Sequence, residues 1–460
     1  MSPIKPLIPS SKSYTQRALI LAALAEGKST IQNPLECDDS YHLRNALREL
    51  SATIDDTNPN LWTVQGLDRH IIRKQCSGSK KGSSSTSKEG VQSSKDGSQS
   101  SREAVHCWSE NAGTVLRFVS SLSVILNKSL IIDGNRRLRK RPLKKLVKTL
   151  SSAGIFSKFI ATKGSLPLLL EKSKGRKAKR SQKGRKKDEI WIDPSMTSQL
   201  LSGLLMACPL LEKPVTIKLA GKPVSGPYVD MTLKAMADFG YKDIRYIDEL
   251  TILVKPGSYK GAHYLVEKDW SSAATMLTAA WLTCSAIDAK GLNTRSLQGD
   301  KTIAGFLEQL SEETSPSAST DDANSFDITN CPDIIGPLTI ASLFATRPTI
   351  ISGVNHTKIK ECDRPATLSR ELKKVGAEVF DEDNVLKIIP LSQDRLLSAL
   401  SLKEQVITEN IVLDPEDDHR MAMAFGLLSL KIPYIKIKNR ECVSKSFSGF
   451  WENLELFREQ

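Results

Sequence analysis

The stretch SKSYTQRALILAALA at residues 11–25 joins a short polar cluster to a long apolar run that is typical of a buried helix. Five more polar clusters stand directly ahead of helix-like runs: ENAGT (110–114), MTSQ (196–199), WSS (270–272), ECDR (361–364) and DDHR (417–420). The start of a helix carries partial positive charge and unpaired N–H groups, which bind phosphate or carboxylate. The six clusters therefore predict six helix N-termini and a small, strongly anionic ligand.

Basic residues within the clusters support this interpretation. They are Lys12, Arg17, Arg364 and Arg420. A cation near a helix N-terminus opposes the helix dipole at a cost of roughly 0.3–1 kcal/mol, and an anion lying between the two removes the conflict. The alternative is that hydroxyl residues merely cap these helices, which for any one helix is the simpler interpretation. The candidate caps are Ser13, Thr114, Ser198 and Ser271.

A second repeated pattern predicts the fold class. An amphipathic helix ends at a turn and leads into a strand-like stretch in ALRELSATI (46–54), KTLSSAGIF (148–156), LKAMADFGYKDI (233–244) and ELKKVGAEV (371–379). Three of the turns contain glycine, which suits the left-handed residue after a helix. Helix, turn and strand that recur on this scale predict an α/β (α+β) protein of repeated units.

Length and composition are those of a soluble globular protein. The chain has 460 residues, 40% of them hydrophobic and 25% charged, which predicts about two or three domains. The longest apolar stretches fall short of the roughly 20 residues of a membrane span, and no export signal is evident, so we expect a cytoplasmic protein without a membrane partner. The eight cysteines show no zinc spacing, so no metal is expected.

The net charge of +13 is mostly a local feature. Ten Lys and Arg lie within 172–187, and without them the charge is +3. This run has no aromatic residue for base stacking, so binding of nucleic acid is a minor alternative, limited to nonspecific phosphate contacts. The segments 77–103, 172–188 and 311–326 are polar and low in large apolar residues, and we expect them to be solvated loops inserted into the fold.

Ten short motifs, in one order along the chain, resemble a known family. They are SKSxxxR (11–17), NAGT (111–114), Arg141-Pro142 after Arg137, SQ (198–199), SxPY (225–228), QGD (298–300), PD (332–333), KExDR (360–364), DHRMAM (418–423) and Lys445. This order and spacing resemble those of the 5-enolpyruvylshikimate-3-phosphate synthase (3-phosphoshikimate 1-carboxyvinyltransferase) family. The resemblance covers nearly the whole chain, apart from the three insertions and a divergent stretch near 392–410.

The resemblance implies a reaction and an architecture. The enolpyruvyl group of phosphoenolpyruvate would pass to the 5-hydroxyl of shikimate 3-phosphate, with release of phosphate and without a cofactor. The implied fold has two similar domains, each of three βαβαββ units that form an inverted α/β barrel, with the active site in the cleft between them. We expect one domain at 12–266 and the other at 1–11 plus 267–460, in a monomer.

The resemblance also assigns binding residues. Those that match positions for shikimate 3-phosphate are Lys12, Ser13, Arg17, Thr197, Ser198, Gln199, Ser225, Tyr228, Asp333 and Lys360. Those that match positions for phosphoenolpyruvate are Lys12, Gly113, Arg137, Gln199, Arg364, Arg420 and Lys445. A further pocket position falls on either Asn355 or His356, because the alignment leaves a one-residue ambiguity there.

Two proton movements are needed, and the resemblance implies which side chains make them. Asp333 matches the base for the attacking hydroxyl, and Glu361 matches the acid that protonates the methylene carbon. Lys12 and Lys445 could share in proton transfer. A carboxylic acid must have its pKa raised to act as a donor, so Glu361 requires burial or an anionic neighbour. His419 is the alternative donor; otherwise it would orient a neighbour by a hydrogen bond.

Three positions depart from the family pattern, and one sister activity competes. Ser10, Glu110 and Gly226 stand where the family usually has Gly, Gly and Lys, and Glu110 would point away from the site or pair with a nearby Arg. The competing activity is enolpyruvyl transfer to UDP-N-acetylglucosamine, which uses a reactive cysteine in a mobile loop. Cys107 lies near that position, but its surroundings, HCWSE, do not resemble that loop.

Overall fold

The structure is a computed structural model that describes residues 2–68, 70–72, 104–173, 188–312, 323–391, 411–432 and 434–459. In this part of the chain the α-helices are α1 (Lys12–Leu24), α2 (Asp38–Glu49), α3 (Gly113–Leu122), α4 (Arg136–Lys140), α5 (Lys144–Ser152), α6 (Gln199–Ala207), α7 (Pro227–Asp238), α8 (Trp270–Thr283), α9 (Ile303–Ser311), α10 (Ile335–Ser342), α11 (Arg364–Leu372), α12 (His419–Leu428) and α13 (Phe450–Glu455).

The strands alternate with these helices. They are β1 (Ala25–Glu26), β2 (Lys28–Gln32), β3 (Thr53–Asp55), β4 (Leu61–Gln65), β5 (Val105–Trp108), β6 (Leu130–Asp133), β7 (Ile155–Phe159), β8 (Leu168–Lys172), β9 (Glu189–Ile192), β10 (Val215–Leu219), β11 (Ile244–Asp248), β12 (Thr251–Val254), β13 (Tyr259–Lys260), β14 (His263–Leu265), β15 (Asn324–Asp327), β16 (Thr349–Ser352), β17 (Glu378–Glu382), β18 (Val385–Ile389), β19 (Ile411–Leu413) and β20 (Ile435–Ile437). The predicted mixture of helices and strands is confirmed.

Four sheets share one strand pattern, in which a parallel pair is extended by two antiparallel strands. Their orders are β14-β2-β4-β3, β5-β6-β8-β7, β9-β10-β12-β11 and β15-β16-β18-β17. In the last two, the chain runs strand, helix, strand, helix, strand, strand, and the β5-β6-β8-β7 sheet differs only in having two helices, α4 and α5, between β6 and β7. The short parallel pairs β1-β13 and β19-β20 complete the described sheets.

Buried apolar side chains form two separate cores. The first takes its residues from Tyr14 to Val266, and the second from Ile4, Ile8 and the segment from Trp270 to Phe457. Helices that are apolar on nearly every face lie inside each core and pack closely. A Cβ added to Gly203 of α6 would lie 2.9 Å from the Cβ of Ser121 on α3, so glycine is what permits this approach.

All six polar clusters begin a helix, as predicted: α1, α3 and α6 in the first core, and α8, α11 and α12 in the second. The hydroxyl caps are a wrong prediction. Ser198 occupies the N-cap position of α6 without a side-chain cap, Thr114 accepts from Gln199, and Ser271 of α8 donates to Asp300. Ser13 lies inside the first turn of α1.

The helices that begin at the polar clusters differ between the two cores in how their starts are satisfied. The side chains of Asp269, Asp363 and Asp418 cap α8, α11 and α12 by accepting backbone N–H groups. In the described structure, the N-cap residues of α1, α3 and α6 make no such bond. The starts of α1, α3 and α6 therefore keep more N–H groups available to an anion.

The insertion boundaries need correction. Segment 77–103 and most of 172–188 lie outside the described residues. Lys172, however, closes β8, and 311–326 is shorter at both ends because Ser311 ends α9 and β15 begins at Asn324. Phe326 anchors β15 because its side chain is buried in the second core. The polar composition of segment 311–326 gave no indication of this strand. Among the described helices, none is long and apolar enough to cross a membrane.

Candidate active site

Five of the six helix starts meet at one cavity between the two cores. Its walls come from the first turns of α1, α3, α6, α11 and α12 and from the segment that precedes α11. The start of α8 does not line it. The lining side chains include six cations (Lys12, Arg17, Arg117, Arg141, Lys360 and Arg364) and three carboxylates (Asp39, Asp333 and Glu361). The excess of positive charge suits a strongly anionic ligand.

The structure brings together most of the predicted site residues. Those that line the cavity are Lys12, Ser13, Arg17, Gly113, Thr197, Ser198, Gln199, Ser225, Tyr228, Asp333, Lys360, Glu361, Arg364 and His419. Arg420 and Lys445 lie just behind this lining and contact Asp333 and Glu361 respectively. Arg137 does not join the cavity.

Arg17 is a buried cation without a carboxylate partner among the described residues. Its Nε donates to Thr232 Oγ1 at 2.8 Å, and its two Nη atoms donate to the carbonyl oxygens of Ser13 and Tyr228 at 2.9 and 2.8 Å. Burial lowers the pKa of Arg17 to about 10. These neutral partners fix the guanidinium while leaving its charge uncompensated, which is what an anionic ligand requires.

Lys12 differs from Arg17 because a carboxylate stands beside it. Its Nζ lies 3.5 Å from Asp39 Oδ2, on the first turn of α2. Burial lowers the pKa of Lys12, but Asp39 together with Glu361 and Cys37 outweighs burial, and the pKa is raised. Lys12 is therefore a charged ligand for an anion and not a neutral base. Asp39 was not among the predicted site residues, although the acidic pair Asp38-Asp39 at a helix start is a visible signal in the sequence.

Gly113 begins α3 where two arginines approach the backbone. A Cβ there would lie 2.5 Å from Arg141 Nη1 and 2.8 Å from Arg117 Nη1. Arg117 Nη1 donates to Gly113 O at 3.0 Å and to Gln199 Oε1 at 3.1 Å. Glycine is required because these guanidinium groups lie against the helix start. The groups that approach this backbone most closely in the described structure are thus two arginine side chains.

The structure places Arg137 outside the cavity, although the resemblance assigns it to phosphoenolpyruvate. Its guanidinium points outward, donates to the carbonyl of Glu416, and lies 2.5 Å from Asp417 Oδ2. Arg141, four residues later, lines the cavity and is 9% exposed. Both residues belong to the quoted motif, and the five-residue helix α4 followed by Pro142 turns Arg141, not Arg137, toward Gly113.

Asp333 is held by arginines. Its Oδ1 accepts from Arg364 Nη1 at 2.8 Å, and its Oδ2 lies 3.7 Å from Arg420 Nη2. Burial would raise the pKa of Asp333, but the charges of Lys360, Arg420 and Arg364 outweigh it and lower the pKa well below its ordinary value. Asp418 Oδ2 accepts a hydrogen bond from Arg364 Nε at 2.9 Å and so holds the same guanidinium group in place. Asp333 is therefore an ionised, oriented acceptor.

Glu361 lies among three cations. Its Oε1 is 3.0 Å from Lys445 Nζ and 3.4 Å from Arg141 Nη2, and its Oε2 is 3.4 Å from Arg364 Nη2. Burial favours the protonated acid, but these charges dominate and hold the pKa of Glu361 well below its ordinary value. The burial required of a proton donor is present, but the three cations outweigh its effect on the pKa of Glu361. An anion bound by the same cations would raise this pKa.

His419 and Arg420 open α12 and are buried. Neither ring nitrogen of His419 has a hydrogen-bond partner among the described residues, so the orienting role is not supported. Burial, followed by the charge of Lys12, lowers the pKa of His419 well below its ordinary value, which keeps the ring neutral. Arg420 Nε and Nη1 likewise lack partners within the described chain. Their donors are available to an anion.

The ambiguity between Asn355 and His356 is resolved. His356 lines the cavity and is 4% exposed, whereas Asn355 is exposed and does not line it. Burial, assisted by the charge of Lys360, lowers the pKa of His356 to about 4. Its Nε2 has no partner among the described residues, so a neutral imidazole can accept a hydrogen bond from a ligand hydroxyl.

The departures from the family pattern are accommodated locally. Glu110 does not line the cavity and, among the described residues, accepts hydrogen bonds from Trp108 Nε1 and Asn135 Nδ2, both at 2.8 Å, instead of pairing with an arginine. Gly226 donates its N–H to Asn330 Oδ1 at 3.1 Å, which connects the two cores. Ser10 forms a bridge to Lys268. Within the described residues, no group of three or more His, Cys, Asp or Glu is arranged to hold a metal ion.

Known proteins resemble this chain over nearly its whole length. A sequence-family model described as EPSP synthase (3-phosphoshikimate 1-carboxyvinyltransferase) matches residues 6–88 and 78–454. Proteins named 3-phosphoshikimate 1-carboxyvinyltransferase from Methanosphaerula palustris and Photobacterium profundum are each 31% identical to it. These matches cover 97% of this chain and 95% and 94% of the respective relatives.

A solved structure shares the fold. The EPSP synthase from Acinetobacter baumannii superposes with a TM-score of 0.64 at 21% sequence identity. The superposition covers 98% of this chain and 94% of that one.

Proposed function

The chain belongs to the EPSP synthase (3-phosphoshikimate 1-carboxyvinyltransferase) family, and we propose that it transfers the enolpyruvyl group of phosphoenolpyruvate to the 5-hydroxyl of shikimate 3-phosphate with release of phosphate. This is a step of the shikimate pathway to chorismate and aromatic amino acids. One observation carries the proposal: helix starts from both cores and an excess of cations converge on a single cavity. The two substrates each carry a phosphate and a carboxylate group, so their negative charge is complementary to the positive potential of this cavity.

Shikimate 3-phosphate is assigned to the first core. The helix starts without side-chain caps, α1, α3 and α6, offer N–H groups to its phosphate, and Lys12 and Arg17 offer charge. The hydroxyl-bearing residues Ser13, Thr197, Ser198, Ser225 and Tyr228, together with Gln199, supply directional hydrogen bonds. His356 Nε2 accepts from a ring hydroxyl.

Phosphoenolpyruvate is assigned to the cations around Glu361. Arg141 replaces Arg137 in this set, and Arg117 joins it because both guanidinium groups lie at Gly113. Arg364, Arg420 and Lys445 approach from the second core. Planar guanidinium groups suit the carboxylate and phosphate of this substrate.

The chemistry is addition followed by elimination. Asp333 takes the proton from the 5-hydroxyl as its oxygen attacks the second carbon of phosphoenolpyruvate, and an acid protonates the methylene carbon to give a tetrahedral intermediate. Removal of a proton from the new methyl group and departure of phosphate then restore the double bond. Lys360 lies beside the attacked centre and stabilises developing negative charge.

Glu361 remains our proposed proton donor. Once the anionic substrate occupies Arg141, Arg364 and Lys445, their field on Glu361 is offset and its pKa rises. His419 is less suited to giving a proton, because its ring is held neutral. Lys445 can return a proton to Glu361 over 3.0 Å.

The finer architecture is also a proposal. The two cores support domains at 12–266 and at 1–11 plus 267–460. The repeated order of strands and helices supports three βαβαββ units in each domain, closed into inverted barrels. From the family resemblance we further propose a cytoplasmic monomer that needs no cofactor or nucleic acid.

The sister reaction on UDP-N-acetylglucosamine fits less well. Cys107 lies within β5, is 2% exposed, and has its pKa raised to about 12 by burial. A thiol in this state is a poor nucleophile.

The test of the proposed function is phosphorus NMR of purified protein with phosphoenolpyruvate and shikimate 3-phosphate. Equal amounts of inorganic phosphate and of a new phosphate monoester are expected, and no change in either resonance would refute it.

A further inference from the structure

A second cavity adjoins the proposed active site. It shares Arg141, Ile359, Lys360 and Glu361 with the first, so these side chains form a partition between the two. Its outer margin is formed by α4 of the first core and, from the second core, by the segment ahead of α11 and by Glu416. We call this second cavity the basic groove.

The basic groove carries an excess of positive charge. Its cations are Arg136, Arg137, Lys140, Arg141, Lys358 and Lys360. Three carboxylates, those of Glu361, Asp363 and Glu416, oppose them. The proposed active site has the same excess, so the positive potential continues from the groove through the partition. A cleft lined by one sign of charge concentrates ions of the opposite sign.

The cations of the groove divide into two kinds. Arg137, Arg141 and Lys358 form ion pairs, with Asp417, Glu361 and Asp381. In contrast, the described structure records no ion pair or hydrogen bond for the side chains of three others: Arg136, Lys140 and Lys360. Arg136 and Lys140 are exposed at the mouth of the groove, whereas Lys360 belongs to the partition. The exposed, unpaired charges of Arg136 and Lys140 therefore lead from solvent toward Lys360, which interacts electrostatically with Asp333 and Glu361 at the proposed reaction centre.

We propose that the basic groove is the port through which small phosphate-bearing anions reach and leave the reaction centre: phosphoenolpyruvate on entry and inorganic phosphate on exit. The proposal rests on the proposed function, and it deepens that function by assigning a route. The groove opens beside Glu361 and Arg141, on the phosphoenolpyruvate side of the site. Bound shikimate 3-phosphate, against Arg17, would leave this route open.

The role of Arg136 and Lys140 is capture, not catalysis. Charges at the mouth raise the local concentration of the anion, and Lys360 and Arg141 then receive it. Such capture weakens as salt increases, because interactions between exposed charges are screened over about 10 Å at 0.1 M ionic strength. The groove should therefore influence kcat/KM for phosphoenolpyruvate and leave kcat at saturation unchanged.

The test compares two double variants of equal charge and spacing. Arg136→Gln/Lys140→Gln removes the mouth charges, and Lys144→Gln/Lys148→Gln removes two exposed charges of α5 that do not line the groove. At low ionic strength we expect the first variant to lower kcat/KM for phosphoenolpyruvate by about three- to tenfold and the control to change it by less than about 1.5-fold. The difference should disappear toward 0.5 M salt, while kcat/KM for shikimate 3-phosphate stays equal in both.

Three results would overturn the port. They are an equal loss of kcat/KM for phosphoenolpyruvate in the two variants, a loss that salt does not reduce, and an equal loss of kcat/KM for shikimate 3-phosphate. A second readout does not depend on turnover. The wild-type protein should broaden the phosphorus resonance of inorganic phosphate more than the Arg136→Gln/Lys140→Gln variant does, and unchanged broadening would also overturn the port. A wild-type protein that binds phosphate in this way but forms no product would instead refute only the proposed reaction.

Discussion

Lys445 Nζ lies 3.0 Å from Glu361 Oε1 and also donates to the carbonyl of Asn111 at 2.9 Å. Asn111 precedes α3 of the first core, whereas Lys445 and Glu361 belong to segments of the second. The ammonium group therefore joins the two cores at the carboxylate that we propose as proton donor. The proposed proton donor and the contact between the two cores therefore share one side chain.

The first prediction concerns Glu361. Glu361→Gln preserves the size of the side chain and removes its ability to give and take a proton. We expect kcat to fall by about 10²–10⁴-fold, which is the usual contribution of general acid–base catalysis. Calorimetry should still detect both substrates, because the binding cations remain. If the variant kept more than half of the wild-type kcat, Glu361 would not be the proton donor and another group would have to supply the proton.

Gly113 gives the second prediction. In Gly113→Ala the new methyl group would lie 2.5 Å from Arg141 Nη1, so this guanidinium must move. Displacement of a binding group by about 1 Å can cost up to roughly 10²-fold, and we expect KM for phosphoenolpyruvate to rise by about ten- to a hundredfold. Gly305→Ala is the matched control, because an added Cβ there meets open space within the described structure. An unchanged KM for phosphoenolpyruvate in Gly113→Ala would place that substrate elsewhere.

Arg17 gives the third prediction. Its buried charge has neutral partners, so Arg17→Ala should weaken binding of shikimate 3-phosphate by about 1.5–3 kcal/mol, the usual value for hydrogen bonds to charged groups. Titration calorimetry measures the change directly. Arg139→Ala is the control, because Arg139 is exposed and pairs with Asp133 outside the cavity. If the two variants had equal dissociation constants, the assignment of Arg17 would be wrong.

The fourth prediction uses pH and the free energy of unfolding. Because burial lowers the pKa of His356 to about 4, the unfolded chain binds a proton at a higher pH than the folded chain does. This residue therefore opposes folding progressively as the pH falls from about 6.5 to about 4, and has no effect above that window. Between pH 7 and pH 5 the loss attributable to His356 is about 2 kcal/mol.

His356→Asn removes this titration. Urea unfolding should show that the variant loses about 2 kcal/mol less stability than the wild type between pH 7 and pH 5. His419 titrates in both proteins, so the comparison isolates His356. Identical pH dependence in both proteins would mean that the His356 ring is solvated.

The sequence predicted the helix starts because each required only a local change from polar to apolar residues. Which N–H groups are capped depends on three-dimensional contacts. Asp269 caps α8 from one position before the WSS cluster, and Ser271 instead bonds Asp300, 29 residues away. Within the first core the outcome also varies: the N-cap side chains of α1, α3 and α6 make no cap bond, whereas Asn135 caps α4.

The direction of side chains limited the prediction of the site. Arg137 and Arg141 occur in one basic motif. The sequence alone does not show which of the two side chains lines the cavity. Arg117 had a signal that was missed, since a lone arginine in the apolar run of α3 must meet a polar partner or a ligand. Its position against Gly113 and Gln199 became evident only from the packing of α3 on α6.

The most direct test of the account is the acceptor requirement for phosphate release. Purified protein is mixed with phosphoenolpyruvate and, in separate reactions, with shikimate 3-phosphate, UDP-N-acetylglucosamine or no acceptor. We expect continuous phosphate release only in the reaction that contains shikimate 3-phosphate. The reactions with UDP-N-acetylglucosamine and without an acceptor should show background rates. Phosphate release that depends on UDP-N-acetylglucosamine, or that needs no acceptor, would contradict it.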